Sequence, residues 1–359
     1  MINPLLTIEK LGQQIWLDNL SRTLLREGTL QRLVDEDGVS GVTSNPSIFH
    51  KALVESPYYQ DELAVLKASS LSAEQRYETL VIADIRVACD ILHPVFERSV
   101  GDAGYVSLEV SPSLAHDGEG TVNAARRLKE AVGRDNLLIK VPATPVGIRA
   151  FERLIAEGIN INVTLMFSLA HEEAVAQAYL RGAKRWVESG GDPKRLKSVA
   201  SIFLSRVDTL VDQRLEAIGG EALNLRGKSA VAVAKQCYRR YLELFHGPAF
   251  SALAAAGVRP QTPLWASTGT KNPAFSDVMY LEPLIGPETV NTAPDATLFA
   301  FRDHGKAAPT LDLAMAEADA QVRALAALKI DLDTVGEALQ QDGVKLFATA
   351  FDKLLALMV

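Results

Sequence analysis

Eight short runs of strand-forming residues recur along the chain, and stretches with helical periodicity separate them. The runs are Ile15–Leu20, Gly41–Asn45, Tyr105–Val110, Leu137–Ala143, Ile161–Phe167, Ser198–Ser205, Pro263–Thr268 and Thr289–Ala293. Helical spacing of apolar residues marks Leu80–Val100, Val122–Val132, Ile148–Ala156, Leu169–Ser189 and Lys228–Phe250. Strand–helix alternation implies a parallel sheet, and eight such units imply a closed (β/α)8 barrel. An open doubly wound sheet is the alternative. No G-x-G-x-x-G follows the first run, which counts against a dinucleotide-binding version of that sheet.

Two connections, Pro46 to Gly104 and Arg206 to Thr262, are too long to be structureless and should contain helices of their own. After the eighth run a tail remains, in which Leu311–Leu328 and Val344–Leu357 are amphipathic helix candidates. Nothing reads as a linker, so residues 1–359 are expected to form a single barrel domain with the tail packed on it. A chain of 359 residues with 48% apolar and 23% charged residues can build so large a core. No apolar run approaches the ~18 residues of a membrane span, and the start lacks a secretion-signal pattern, so a cytoplasmic location is expected. The net charge of −7, without a basic block, argues against nucleic acid as the main partner. Anionic small molecules remain open, because a few local cations suffice for a phosphate. Cys89 and Cys237 are far apart, no histidine spacing suggests a metal, and no cofactor is expected.

Leu137-Leu138-Ile139-Lys140-Val141-Pro142-Ala143 is the most informative segment. Alternation puts Leu138, Lys140 and Pro142 on one face. A charged lysine packs at high cost against the outer helices, so Lys140 belongs in the barrel interior, near the carboxyl end where active sites open. Desolvation disfavours an ammonium, and a neutral amine can attack a ketone carbonyl to form a Schiff base. A protonated imine is then an electron sink for C–C cleavage. An interior lysine merely paired with a carboxylate is the plainer alternative.

Other runs carry polar residues near their ends. Asp18 follows Ile15-Trp16-Leu17, and Asn45 closes Val42-Thr43-Ser44. Glu109 shares a face with Ser107, and Asn162 with Thr164. Ser201 and Phe203 share a face, with Arg206 just beyond; Ser267 ends its run, and Lys271 lies in the next loop. The polar ones have dull explanations: helix caps for Asp18 and Asn45, an ordinary partner for the lysine in Glu109, strand-to-strand bonding for Asn162 and Thr164, rim positions for Ser201, Arg206 and Ser267, and a solvated loop charge for Lys271. Together they form a barrel mouth with a lysine, two carboxylates, two amides, hydroxyls and two cations, which suits a phosphorylated polyol.

At this point a family likeness emerges. Gly41-Val42-Thr43-Ser44-Asn45-Pro46-Ser47-Ile48-Phe49 resembles the first transaldolase signature. The stretch from Leu137 through Lys140 to Ile148 resembles the second, around the Schiff-base lysine. Val106–Val110 and Ile161–Ser168 resemble the strand-end motifs, and the match runs from about Ile15 to at least Asn272. Gln13–Asp18 and the chain length look like the longer bacterial type. The resemblance implies a barrel with its catalytic lysine, here Lys140, on the fourth strand. It implies that Asp18 takes the proton of the C4 hydroxyl during cleavage, and that Glu109 and Thr164 hold a proton-shuttling water. Asn45 and Asn162 would hold hydroxyls of the three-carbon unit. Arg206, Ser201, Lys271 and Ser267 would receive the phosphate, although Ser267–Asn272 differs from the arginine-bearing version of shorter members. The implied reaction converts sedoheptulose 7-phosphate and glyceraldehyde 3-phosphate to erythrose 4-phosphate and fructose 6-phosphate, in the non-oxidative pentose phosphate pathway. The implied partners are sugar phosphates, with the protein a monomer or homodimer. A fructose-6-phosphate aldolase is the nearest rival; it resembles transaldolase with glutamine and tyrosine where this chain has Glu109 and Phe203. A non-catalytic sugar-phosphate-binding barrel is the rival from another class.

Overall fold

The computed structural model describes residues 3–359. Its eight parallel strands close into a barrel in sequence order: β1 Gln13–Leu17, β2 Val39–Val42, β3 Tyr105–Glu109, β4 Leu137–Pro142, β5 Ile161–Met166, β6 Ser198–Phe203, β7 Thr262–Ala266 and β8 Thr289–Ala293. The expected (β/α)8 architecture is therefore observed. Every residue of β4, β5 and β6 is buried, as expected of strands covered on one face by helices and on the other by the barrel interior.

One close packing contact fixes the first two strands. A Cβ on Gly41 would lie 2.4 Å from the Trp16 ring, so only a glycine lets this fully buried indole lie against β2. At the amino end of the barrel, the buried Lys197 donates to the exposed Asp102 at 2.7 Å and to Thr262 at 3.2 Å. Gln14 also donates to Asp102, at 3.2 Å. This polar layer lies at the end opposite the predicted site.

Element bounds depart from expectation where local chemistry overrides pattern. β2 begins at Val39 and ends at Val42, so Asn45 lies beyond it. There Asn45 caps the helix Pro46–Glu55, its side-chain oxygen accepting from Ile48 N at 3.0 Å. The first long connection also holds the helix Ala73–Arg98, and the second holds Ser205–Ile218 and Ser229–Phe245. The expected Lys228–Phe250 helix stops at Phe245, just before Gly247 and Pro248, because proline cannot continue the hydrogen-bond ladder.

The tail departs most. Its last helix spans Leu332–Ala356, twelve residues earlier than the expected start at Val344, and is capped by Asp331. Gly336 and Gly343 hid its first half by interrupting the apolar period. Both are contact points: a Cβ on Gly336 would meet Ser168 at 2.8 Å, and one on Gly343 would meet Leu165 at 3.0 Å. The helix thus lies against the carboxyl end of β5. Gln340 secures it by donating to the carbonyls of Ala143 and Leu165, at 2.9 and 3.0 Å. Leu165 has a left-handed φ of 58°, and the β5–β6 register shifts between Val163 and Met166. This bulge changes the strand's parity, so that Phe167 rather than Met166 meets the ring of Phe203.

Candidate active site

Lys140 is 6% exposed, and its amine donates to the carbonyl of Ser44 at 2.9 Å. Its register partners are Glu109 on β3 and Asn162 on β5, so three of the predicted residues form one row across neighbouring strands. Glu109 Oε1 lies 3.9 Å from the amine, while Oε2 is buried without a protein partner. Burial pushes the Glu109 carboxyl up to about 7; Lys140 and Arg206 oppose the rise and Asp18 adds to it. Thr164 Oγ1 is likewise buried and bonded to no protein group among the described residues. A buried polar atom in this state is costly unless it gains a polar partner.

Asp18 leaves β1 with its backbone N–H on Ala293 O at 2.8 Å. Its carboxylate accepts from Thr43 at 2.7 Å, and Thr43 is 2.7 Å from Thr292. It is not a helix cap, because Ser21 caps the helix that follows. Burial raises its pKa, with Lys140 and then the Thr43 hydroxyl pulling it back. Asn162 is fully buried, donating to Ser107 at 3.0 Å and accepting from Ser201 at 2.7 Å. The cross-strand bonding considered for it is present.

Eight of the eleven predicted residues line one cavity of about 210 Å³: Asp18, Asn45, Lys140, Ser201, Phe203, Arg206, Ser267 and Lys271. The cavity is below the usual ligand-pocket range of roughly 300–1,000 Å³, in keeping with a small polar substrate. Glu109, Asn162 and Thr164 lie outside its wall, in or next to the Lys140 row. Arg206 stacks between two rings, its guanidinium carbon 5.5 Å from the centre of Phe203 and 5.8 Å from that of Phe347. Its Nη1 has no acceptor among the described residues, and burial lowers its pKa. Ser267 adopts φ 55° and lies 2.8 Å, hydroxyl to hydroxyl, from Ser205. Lys271 is exposed at the rim.

Sequence reasoning passed over Thr43, Ser47, Thr292 and Phe347, all of which line the cavity. The strand-end rule that selected Asn45 and Ser201 could have found Thr43 and Thr292. Phe347 carried no such signal, because it arrives from the last helix.

A lysine deep in a barrel mouth, between two carboxylates and facing free cations, is suited to imine chemistry on a phosphorylated ketone. The transaldolase/fructose-6-phosphate aldolase family model matches residues 15–358. A transaldolase of Thiobacillus denitrificans is 59% identical, covering 97% of this chain and 98% of that protein. A transaldolase of Neisseria gonorrhoeae is 49% identical over 98% of both chains, and a Nostoc protein named transaldolase 2 is 42% identical over 99% and 96%. With the site geometry already pointing the same way, the chain belongs to the transaldolase/fructose-6-phosphate aldolase family, as an enzyme of the transaldolase type.

Proposed function

We propose that Lys140 carries a three-carbon dihydroxyacetone unit between sugar phosphates as a Schiff base. The observation that carries this reading is the Lys140 amine, buried in the mouth with Glu109 at 3.9 Å and Asp18 on the same cavity. The neutral amine adds to the C2 carbonyl of sedoheptulose 7-phosphate or fructose 6-phosphate. Loss of water from the carbinolamine gives the imine, with Glu109 and Thr164 holding the water that moves the protons. Asp18 then takes the C4 hydroxyl proton, the C3–C4 bond breaks, and its electron pair flows into the iminium to give an enamine. The aldose phosphate leaves. Glyceraldehyde 3-phosphate or erythrose 4-phosphate accepts the unit by the reverse steps, and hydrolysis frees Lys140.

Asn45 and Asn162 are assigned the hydroxyls of the three-carbon unit, Asn162 in exchange for its bond to Ser107 or Ser201. Arg206, Ser201, Ser267 and Lys271 are assigned the phosphate. Glu109 and Phe203 favour transfer over release of free dihydroxyacetone, because a phenyl ring offers no hydroxyl to protonate the enamine. The reading includes a single barrel unit, monomeric or homodimeric, at work in the cytoplasm without metal or cofactor. No helix of the described residues is long and apolar enough to cross a membrane.

Borohydride trapping with fructose 6-phosphate tests the assignment. Mass spectrometry should find a reduced three-carbon adduct on Lys140, and Lys140→Ala should lose both adduct and turnover. An active enzyme with no adduct, or with one on another residue, refutes it.

A further inference from the structure

A second cavity, of about 480 Å³, opens at the other end of the barrel. It is bounded by segments that enter the strands, among them Gly101, Asp135, Asn160, Lys194 and Arg259. The barrel wall therefore separates it from the lysine. Its size falls in the range of small-molecule sites, roughly 300–1,000 Å³.

Phe96, Tyr105, Ile139, Ile159 and Trp186 give the cavity an apolar, ring-rich wall. The Trp186 indole is held in place. Its N–H donates to Asp192 O at 2.9 Å. Gly158 and Gly191 approach its ring so closely that a Cβ would lie 2.5 and 2.1 Å away. A ring fixed in this way is a ready surface for offset or edge-to-face contact with another ring.

The rim is cationic, in a protein whose net charge is −7. Five of the lining residues are Lys or Arg and three are Asp or Glu. The carboxylates have partners already: Asp135 with Arg195 at 3.4 Å, Glu157 with Arg126 at 2.5 Å, Glu97 with His93 at 3.3 Å. Among the described residues, Lys129, Lys194 and Arg259 have no carboxylate within 4.0 Å, so their charges are left over. Arg259 is braced by two carbonyls, Lys194 O at 2.5 Å and Val100 O at 2.6 Å. A guanidinium has five N–H donors, so bracing through two leaves others free for an anion at no cost in ordering the side chain.

We propose that this cavity binds a small aromatic anion, a ring carrying a phosphate, sulfonate or carboxylate. The ring rests against Trp186 and Phe96, and the anionic group meets Arg259, Lys129 and Lys194. An apolar wall alone would accept any hydrophobe, and surplus cations alone any anion; their combination selects a molecule with both parts. Nothing in the proposal depends on the chemistry at Lys140.

The probe is phenyl phosphate, added to the full-length enzyme and followed by tryptophan fluorescence. Trp16 and Trp265 are fully buried, which leaves Trp186 as the reporter. The expected result is a saturable change that Trp186→Phe abolishes, while calorimetry on that variant still records binding. Lys129→Ala with Lys194→Ala, both on exposed side chains, should weaken affinity by about tenfold or more, as for lost charge-assisted hydrogen bonds. Benzyl alcohol and inorganic phosphate, each with half of the chemistry, should bind far more weakly. Excess fructose 6-phosphate should leave the signal unchanged. Absence of saturable binding, displacement by fructose 6-phosphate, indifference to the double variant, or equal binding of benzyl alcohol each overturns the proposal.

Discussion

Glu109→Gln is the most discriminating perturbation of the site, because it preserves shape and removes only the proton equilibrium. Burial pushes the wild-type carboxyl up to about 7 from an ordinary 4.5. At about 1.4 kcal/mol per pH unit, keeping it ionised in the folded protein costs about 3 kcal/mol. The favourable contribution of its protonated form is complete below 4.5 and is lost as pH rises through about 7. Wild-type stability should therefore fall by about 3 kcal/mol across that window relative to the variant, in urea denaturation at several pH values. The same equilibrium makes both protonation states abundant near neutrality, as proton relay during dehydration and hydrolysis requires. The wild-type pH–rate profile should bend near 7, and the variant should lose that bend together with about 10²-fold or more in rate. Borohydride trapping on the variant should show slow adduct formation rather than none, since Lys140 is intact. A variant with the wild-type rate and the same bend refutes the assignment of Glu109, and a flat difference in stability refutes the electrostatics.

Three further substitutions probe other parts of the molecule. Gly41→Ala places a Cβ 2.4 Å from the buried Trp16 ring and should destabilise by about 1–3 kcal/mol, seen as a lower urea midpoint. Gln340→Ala frees two buried carbonyls at the ends of β4 and β5; it should cost about 1–3 kcal/mol and lower kcat more than it raises KM, with Gln340→Glu failing to restore either. Phe203→Tyr should raise fructose 6-phosphate formation from free dihydroxyacetone and glyceraldehyde 3-phosphate, while transfer activity falls or holds level. Equal use of free dihydroxyacetone by the wild type would count against the transfer reading.

The barrel was legible because its information is local. Each strand is a short apolar run with a covering helix beside it, and eight repeats leave few topologies. Boundaries were less legible because they depend on single side chains. Asn45 reads equally well as the last strand residue or as a cap, and its bond to Ile48 N makes it the cap without removing it from the cavity wall. The last helix was half-hidden for a related reason. Gly336 and Gly343 look like helix breakers until the partners they admit, Ser168 and Leu165, are known.

The site was legible where the strand that bears a residue also aims it. Lys140, Glu109 and Asn162 are such residues, and register alone aligns them. It was not legible where two distant segments must meet. Arg206 was chosen for its charge, but its stacking needs Phe203, three residues away, and Phe347, which lies some 140 residues on. The position of Phe347 depends in turn on a helix that Gln340 fastens to Ala143 and Leu165. Those carbonyls directly follow Pro142 and Thr164, which are register partners two residues beyond Lys140 and Asn162. The C-terminal helix thus grips the strand ends that carry the lysine, and the same helix supplies one of the two rings that flank Arg206. A tail expected from sequence only to pack on the barrel is, in the folded chain, part of the wall of the site.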